Sequence, residues 1–396
     1  MTPNLPQGAE ASAPSDDFRA VTVMTRMLGG RGPPATRPED GSHRSRHPPG
    51  ALWFGGSMTT IGFHCSHEQI APGRLLRDVQ HAEQVGFTAA MSSDHLSPWS
   101  RRQGESGFAW SFLGAALATT GLPFGVVTAP GQRYHPAVTA QAVATLASMF
   151  PGRFWAALGS GEASNERVTG EAWPRKEVRD ARLLECVDVI RRLLAGEEVS
   201  HDGLVTVNRG RLWTLPDAVP PLLGPAVTAE TAARHAGWAD GLVTVNQPPE
   251  TLQRVLEHYR EAGGRGPACL QVHLSWAPTD DEALAIAHDQ WRSNVHGPPV
   301  SWDTETVEAF DTVAETVSPE QVRTVVNVSS DPARHAAWLH EYAEQGWEQI
   351  YLHHVGQDQR AFLDTFGEHV LPQLEPRPPA PAGTDRPAAQ REEATR

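Results

Sequence analysis

The chain has 396 residues, 39% of them hydrophobic, and a formal net charge of −14. This length suits one large barrel or two ordinary domains. The acidic balance argues against a nucleic-acid partner, because phosphate binding needs concentrated positive charge. No apolar run is long enough to span a bilayer. The cysteines are odd in number and far apart, which fits neither a disulfide framework nor a CxxC metal site and indicates a cytoplasmic protein.

Both ends of the chain have the composition of disordered tails. Residues 1–57 and 375–396 are rich in Pro, Gly, Arg and acidic residues, and they show little hydrophobic periodicity. Such segments cannot bury enough apolar surface to offset the entropy lost on ordering. Met58 opens the first strand-like stretch, MTTIGFHCS, and we interpret it as the natural start, preceded by a gene-model extension. The folded domain is therefore predicted to cover residues 58–374.

Strand-like and helix-like patterns alternate between the tails. Eight strands are predicted, over residues 60–65, 87–92, 123–129, 154–158, 221–226, 241–246, 269–277 and 349–354. Helices are predicted over residues 74–85, 108–119, 136–150, 177–195, 228–236, 250–262, 281–294, 332–345 and 359–370. A β-hairpin over residues 201–214 and an irregular excursion over residues 295–318 interrupt this alternation.

The alternation predicts an α/β fold, a (β/α)₈ TIM barrel with insertions after strands 4 and 7. No break in composition divides the eight units, so one domain is expected. A doubly wound open sheet is the alternative. The absence of a dinucleotide-binding fingerprint after the first strand weakens that alternative.

Polar and aromatic residues follow the predicted strands, at the positions that line one mouth of a barrel. They are His64, Ser66, His67, Asp94, His95, Trp99, Thr128, Glu162, Asn165, Thr228, Asn246, Trp276, His353 and His354. Asp94 and His95 form the sharpest pair, because a neighbouring carboxylate can fix the tautomer of an imidazole or raise its pKa. Helix capping or a turn is the competing interpretation of this pair.

The stretch GRFWAALGSGEASNE, residues 152–166, reads as a buried strand that ends in glycines and then displays Glu162 and Asn165. A capped, Gly-rich turn is the competing interpretation. A metal site is not predicted, because the chain has neither HExxH nor an HxH after a strand. His353 and His354 are adjacent on a strand, so their side chains point to opposite faces.

Four segments resemble the luciferase-like superfamily: SDHLSPW, FGVVTAPGQRYHPAVTAQAVATL, GRFWAALGSGEASNE and HHVGQDQRAFLDTFGEHVLPQL. The chain is most similar to the branch that contains the deazaflavin-dependent glucose-6-phosphate dehydrogenases, from about residue 60 to 374. The resemblance implies a barrel with a flavin or deazaflavin ring in its mouth, with His95 as base and Glu162 as acid. It also implies a non-prolyl cis peptide at Val126–Val127. The implied cofactor-binding positions are Asp94, Trp99, Val126, Val127, Thr128, Gly161, Asn165, Val227 and Thr228.

The chain departs from these relatives where they bind the substrate phosphate with two lysines and an arginine. The first lysine position is Pro248, the later insertion has no lysine, and the arginine position lies near Val325. Glucose 6-phosphate is therefore not the expected substrate. The loop AVTAET, residues 226–231, is expected to hold the cofactor phosphate. A neighbouring branch thought to use FMN is very similar to this chain, so FMN is slightly preferred over coenzyme F420.

These observations predict an FMN- or F420-dependent oxidoreductase that acts on a small organic molecule by hydride transfer or oxygen activation. A monooxygenase of this kind would need a separate flavin reductase. A homodimer is expected, with apolar helices such as residues 108–119 packed between subunits. Two other classes stay open: a barrel hydrolase that uses Asp94 and Glu162, and a cofactor-binding protein without turnover.

Overall fold

The structure is a computed structural model that describes residues 59–374. The two predicted tails, and Met58 as the natural start, lie outside the described residues. None of the helices within residues 59–374 combines the length and apolarity needed to cross a bilayer.

Eight parallel strands close into a barrel, which confirms the predicted fold. They are Thr60–Cys65, Ala89–Ser93, Phe124–Thr128, Phe154–Leu158, Leu222–Pro225, Leu242–Val245, Ala268–Ser275 and Gln349–His354. Each strand pairs with the next along the chain from the first to the seventh. The eighth pairs with both the seventh and the first, which closes the sheet. The strands are buried almost throughout, because helices cover the outer face and side chains fill the interior.

The main helices lie close to their predicted positions. They are Pro72–Gln84, Ala109–Thr119, Pro136–Met149, Lys176–Leu194, Ala229–His235, Pro249–Glu261, Asp280–Trp291, Pro332–Glu344 and Arg360–His369. Proline opens four of them, at Pro72, Pro136, Pro249 and Pro332. Proline suits this position because its fixed φ is helical and its missing N–H would have no partner there.

The two insertions follow strands four and seven, as predicted. The first contains a hairpin of strands Val199–Asp202 and Thr206–Gly210. Residues 295–318 of the second insertion were predicted to be irregular, and that was wrong: they contain the helices Val300–Asp303 and Val307–Ala314, and the helix Pro319–Val322 follows. Thr306 and Ser318 cap two of these helices by accepting hydrogen bonds from backbone N–H groups. Helices of four to eight residues are too short to show a clear hydrophobic period.

The prediction of a cis peptide at Val126–Val127 was wrong. Within residues 59–374, the cis peptide bond is Pro298–Pro299. Val126 pairs with Ser92 on one side and with Ala156 on the other, and Val127 continues both ladders. The third strand thus runs through this position as a regular strand with trans peptides.

Candidate active site

A cavity of about 490 Å³ opens at the carboxyl ends of the strands. Its volume lies within the range of about 300–1,000 Å³ that is usual for sites of small molecules and cofactors. Every barrel strand, or the loop after it, contributes to the wall. The second insertion covers the opening with residues such as Pro298, Ser301 and Trp302. The position agrees with the usual location of active sites in this fold.

His95 lies in this cavity between two carboxylates. Its Nδ1 is 2.5 Å from Oε1 of Glu68, and its Nε2 is 3.7 Å from Oε2 of Glu162. The Glu68 side chain is 4% exposed, whereas those of His95 and Glu162 are 20% and 25% exposed. One carboxylate is therefore a buried support for the imidazole, and the other faces the cavity with it.

The loop after the first strand fixes Glu68. Ser66 Oγ donates a hydrogen bond to Glu68 Oε2 at 3.1 Å, while the other carboxylate oxygen contacts His95. Burial alone would raise the pKa of Glu68, but the hydrogen bond and positive charge of His95 lower the pKa to about 2. Glu68 is therefore ionised at any physiological pH.

The same contacts shift the pKa values of His95 and Glu162, the two groups that face the cavity. Burial would lower the pKa of His95, but the hydrogen bond and charge of Glu68, aided by Glu162, raise it to about 9. Burial raises the pKa of Glu162 to about 7 against the opposing effect of His95. Because Glu68 occupies Nδ1, Nε2 is the nitrogen of His95 that faces Glu162.

Asp94 does not act as the partner of His95, which corrects the sequence-based interpretation of that pair. The Asp94 carboxylate accepts hydrogen bonds from Trp110 Nε1 at 3.1 Å, Thr128 Oγ1 at 2.8 Å and Tyr134 OH at 3.1 Å. Its side chain has no exposed surface. Adjacent residues on an extended segment point in opposite directions, so Asp94 anchors the backbone from which His95 projects.

Glu68 is the functional residue that sequence reasoning missed. The residues singled out after the first strand ended at His67, one position before Glu68. The sequence could have pointed to Glu68, because the first and second strands are neighbours in the barrel and the loops that follow them meet above it. Glu68 is the carboxylate in the loop that follows the first strand.

Asn165 links the carboxylate of Glu162 to the loop that follows His95. Its Nδ2 donates to Glu162 Oε2 at 3.1 Å, and its Oδ1 accepts from the backbone N–H groups of Leu96 and Ser97 at 2.8 and 3.2 Å. The ring of Trp99 meets His95 edge-on, with ring centroids 5.3 Å apart. These contacts hold Nε2 of His95 opposite Glu162.

Most of the residues predicted to form the site line the cavity. They are Asp94, His95, Trp99, Val127, Thr128, Gly161, Glu162, Asn165 and Val227. Two do not: Val126 is enclosed in the core, and Thr228 caps the helix Ala229–His235 by accepting from Thr231 N–H. Of the other strand-end residues, His64, Asn246 and His353 also line the cavity.

The cavity wall has features that suit a flat ring cofactor. Gly161 has a φ of +81°, and a Cβ there would lie 2.7 Å from Glu166 Cγ, so this position requires glycine. Of the part of the chain that the structure describes, Lys176 is the one lysine or arginine that lines the cavity, and Val227 and Thr231 also line it. Within residues 59–374, no group of three or more His, Cys, Asp or Glu side chains is placed to hold a metal ion.

Comparison with known proteins identifies relatives over most of the chain. The family described as luciferase-like monooxygenase matches residues 55–349. An F420-dependent glucose-6-phosphate dehydrogenase of Beutenbergia cavernae is 34% identical over 334 residues, which cover 81% of this chain and 98% of that protein. An F420-dependent hydroxymycolic acid dehydrogenase of Mycobacterium tuberculosis is 32% identical over 321 residues, covering 79% and 88%.

Two solved structures are similar to this chain over about four fifths of its length. An F420-dependent secondary alcohol dehydrogenase, in complex with an F420–acetone adduct, has a TM-score of 0.74 and 30% identity, covering 80% of this chain and 99% of that chain. The oxygenating constituent of 3,6-diketocamphane monooxygenase from Pseudomonas putida, in complex with FMN, has a TM-score of 0.59 and 18% identity, covering 80% and 98%. At that identity, the second likeness shows the fold alone.

Proposed function

Since the chain belongs to the luciferase-like monooxygenase family and is an oxidoreductase of that class, we propose that it is a coenzyme F420-dependent dehydrogenase of an uncharged alcohol. The observation that carries the proposal is His95, held between an ionised buried carboxylate and one that faces the cavity. The three relatives described above that share at least 30% identity are named as F420-dependent enzymes. The slight preference for FMN has support only from distant neighbours.

The residues of the cavity fit such a cofactor. The backbone at Gly159 and Gly161 approaches the cavity without side chains, as a ring packed against it requires. Lys176 and Thr231, the latter at the end of the loop of residues 226–231, both line the cavity and would hold the cofactor phosphate. When bound, the deazaflavin would supply the acceptor for a hydride from the alcohol carbon.

His95 is the base in this scheme. Its neutral Nε2 would take the hydroxyl proton of the alcohol, and Glu68 would stabilise the imidazolium that results. Glu162, whose pKa is about 7, would exchange that proton with the rest of the cavity. In the reverse direction, the imidazolium of His95 would donate a proton to a carbonyl oxygen.

The substrate is proposed to carry no phosphate. Pro248 and Val325, the positions at which the resemblance places a lysine and an arginine, both line the cavity. Within residues 59–374, Lys176 is the one lysine or arginine that lines the cavity, and it is the group proposed to hold the cofactor phosphate. A substrate phosphate would therefore lose its water without gaining a lysine or arginine of its own.

The test is to add F420 and a panel of alcohols to the purified protein and follow the absorbance of the oxidised deazaflavin. Turnover is expected with simple secondary alcohols and not with glucose 6-phosphate. FMN serves as the comparison cofactor. Reduction of F420 by glucose 6-phosphate alone, or turnover with FMN and oxygen alone, would contradict the proposal. The dehydrogenase would need no flavin reductase, because free F420 carries the electrons away.

A further inference from the structure

The base of the cavity holds a second set of histidines, on the inner face of the barrel. His64, His273 and His353 come from the first, seventh and eighth strands, and all three line the cavity. His64 stacks on His353 with ring centroids 4.4 Å apart, and Trp291 packs against His273 and His353 at 4.7 Å each. The proton-transfer scheme uses none of these rings.

Gln69 fixes the tautomer of His353. The Nε2 of Gln69 donates to Gln290 Oε1 and to the backbone oxygen of Val355, so its Oε1 must face the other way. That oxygen accepts from His353 Nε2 at 2.9 Å. His353 therefore carries its hydrogen on Nε2, and Nδ1 of the neutral ring is an acceptor.

Gln271 fixes the tautomer of His273 in turn. Its amide nitrogen has two hydrogens, and it lies 3.3 Å from Nδ1 of His353 and 3.1 Å from Nε2 of His273. Both ring nitrogens thus accept a hydrogen bond. Since Nε2 of His273 is an acceptor, the hydrogen of this neutral ring is on Nδ1.

The Nδ1–H of His273 is a donor without a partner. Among residues 59–374, this atom forms no hydrogen bond, and the side chain lines the cavity. Burial also holds the pKa of His273 at about 3, so the ring stays neutral and offers one hydrogen there. The same wall contains Asn246, which accepts from the backbone N–H of His273 and donates to the backbone oxygen of Val325.

We propose that the His353–Gln271–His273 network determines specificity by presenting the Nδ1–H of His273 to a second, uncharged oxygen of the substrate. The substrate class is then a neutral alcohol, or the matching ketone, that carries a further hydroxyl, ether or carbonyl oxygen. This inference rests on the proposed dehydrogenase function. A bound substrate shields this donor from water, and a donor left unpaired in that complex is costly, so the site discriminates against alcohols without the second oxygen.

The kinetic test compares cyclohexanol with trans-1,4-cyclohexanediol and its 1,2 and 1,3 isomers as substrates. The best diol is expected to exceed cyclohexanol about tenfold or more in kcat/KM. His273→Phe keeps the packing on Trp291 but removes the donor, and should lower kcat/KM for the diol about tenfold, chiefly through KM. His273→Asn, whose amide replaces Nδ1–H, should restore much of it. Equal losses for cyclohexanol and the diol in His273→Phe would overturn the proposal.

A matched control is His354→Phe, because His354 is adjacent to His353 but stacks on Phe362 outside the barrel interior. It should leave the preference for the diol unchanged. A change in that preference as large as the one in His273→Phe would show that general loosening of the eighth strand, and not the donor, sets selectivity.

A second measurement separates this proposal from the proposed function. Long-range ¹⁵N–¹H spectra of histidine-labelled protein, assigned by comparison with His273→Phe, should show neutral His273 with hydrogen on Nδ1, even at about pH 5. Adding the diol, but not cyclohexanol, should shift that resonance. Hydrogen on Nε2, or a charged ring, would overturn the network. Absence of any turnover with F420 would instead contradict the dehydrogenase, and these spectra would still decide on the network.

Discussion

Two histidine sites share one cavity, and they differ in charge. His95 at the rim contacts the carboxylate of Glu68, which raises the pKa of the imidazole to about 9. His273 at the base contacts the amide of Gln271, and burial lowers its pKa to about 3. Both rings are mostly buried. The partner therefore decides the outcome: a buried carboxylate makes histidine a proton carrier, whereas a buried amide makes it a fixed donor.

The largest expected effect comes from removing the imidazole of His95, the charged one of the two histidines. His95→Ala should lower kcat for alcohol oxidation about 10²–10⁴-fold, because the base is lost. Binding of F420, measured by equilibrium dialysis, should change little. The control is His67→Phe, whose ring packs edge-on against Phe112 outside the cavity. Activity in His95→Ala close to the wild-type value would refute the assignment of the base.

The second effect is the pH dependence of the unmodified protein. Oxidation needs neutral His95, whose pKa is about 9, so kcat/KM should rise about tenfold per pH unit from pH 7 and level off above about 9. Carbonyl reduction needs the imidazolium, so its kcat/KM should be level near pH 7 and fall above about 9. Parallel profiles in the two directions would contradict a single group that acts in both.

Glu68→Gln should give His95 an amide partner in place of a carboxylate, as His273 already has. Without the carboxylate, the pKa of His95 is expected to fall from about 9 towards or below the ordinary value of about 6.5. The midpoint of the oxidation profile should move down with it. The limiting rate at high pH should fall about tenfold to a hundredfold, since a weaker base removes the proton less readily. Glu105→Gln, in a neighbouring exposed loop, is the control. An unchanged midpoint would mean that Glu68 does not tune His95.

The smallest effect is expected at His64, which is one of the neutral histidines at the base of the cavity. Its Nδ1 is buried and has no hydrogen-bond partner among residues 59–374, and its ring stacks on His353. His64→Phe keeps the stacking and loses one contact to Ser93 Oγ, so the free energy of unfolding should change by about 1 kcal/mol. Urea unfolding measures this change, and turnover should stay within about threefold. A tenfold loss of turnover with unchanged stability would show that His64 takes part in the chemistry.

Strand-end positions explain how much of the site the sequence predicts. His95 and Glu162 follow the second and fourth strands, and the barrel brings both to one mouth. The fold could be predicted because alternating periods of two and 3.6 residues are local properties of a chain. Glu68 was missed, because its contact with His95 depends on how the loops of two strands turn towards each other.

Adjacency in sequence does not predict side-chain direction, as two positions show. Asp94 precedes His95, yet its carboxylate faces Trp110, Thr128 and Tyr134 on the opposite side of the backbone. The regular pairing of Val126 and Val127 with strands on both sides likewise replaced the cis peptide that the resemblance implied. Direction and pairing are settled only when the surrounding strands are in place.

The barrel, the order of its strands and the residues that end them could be predicted from the chain alone, because hydrophobic period and turn residues act over short distances along the chain. Which carboxylate holds His95, and which histidines stay neutral, became known from the folded structure. A pKa depends on burial and on charges within a few ångströms, and those distances join residues from separate strands.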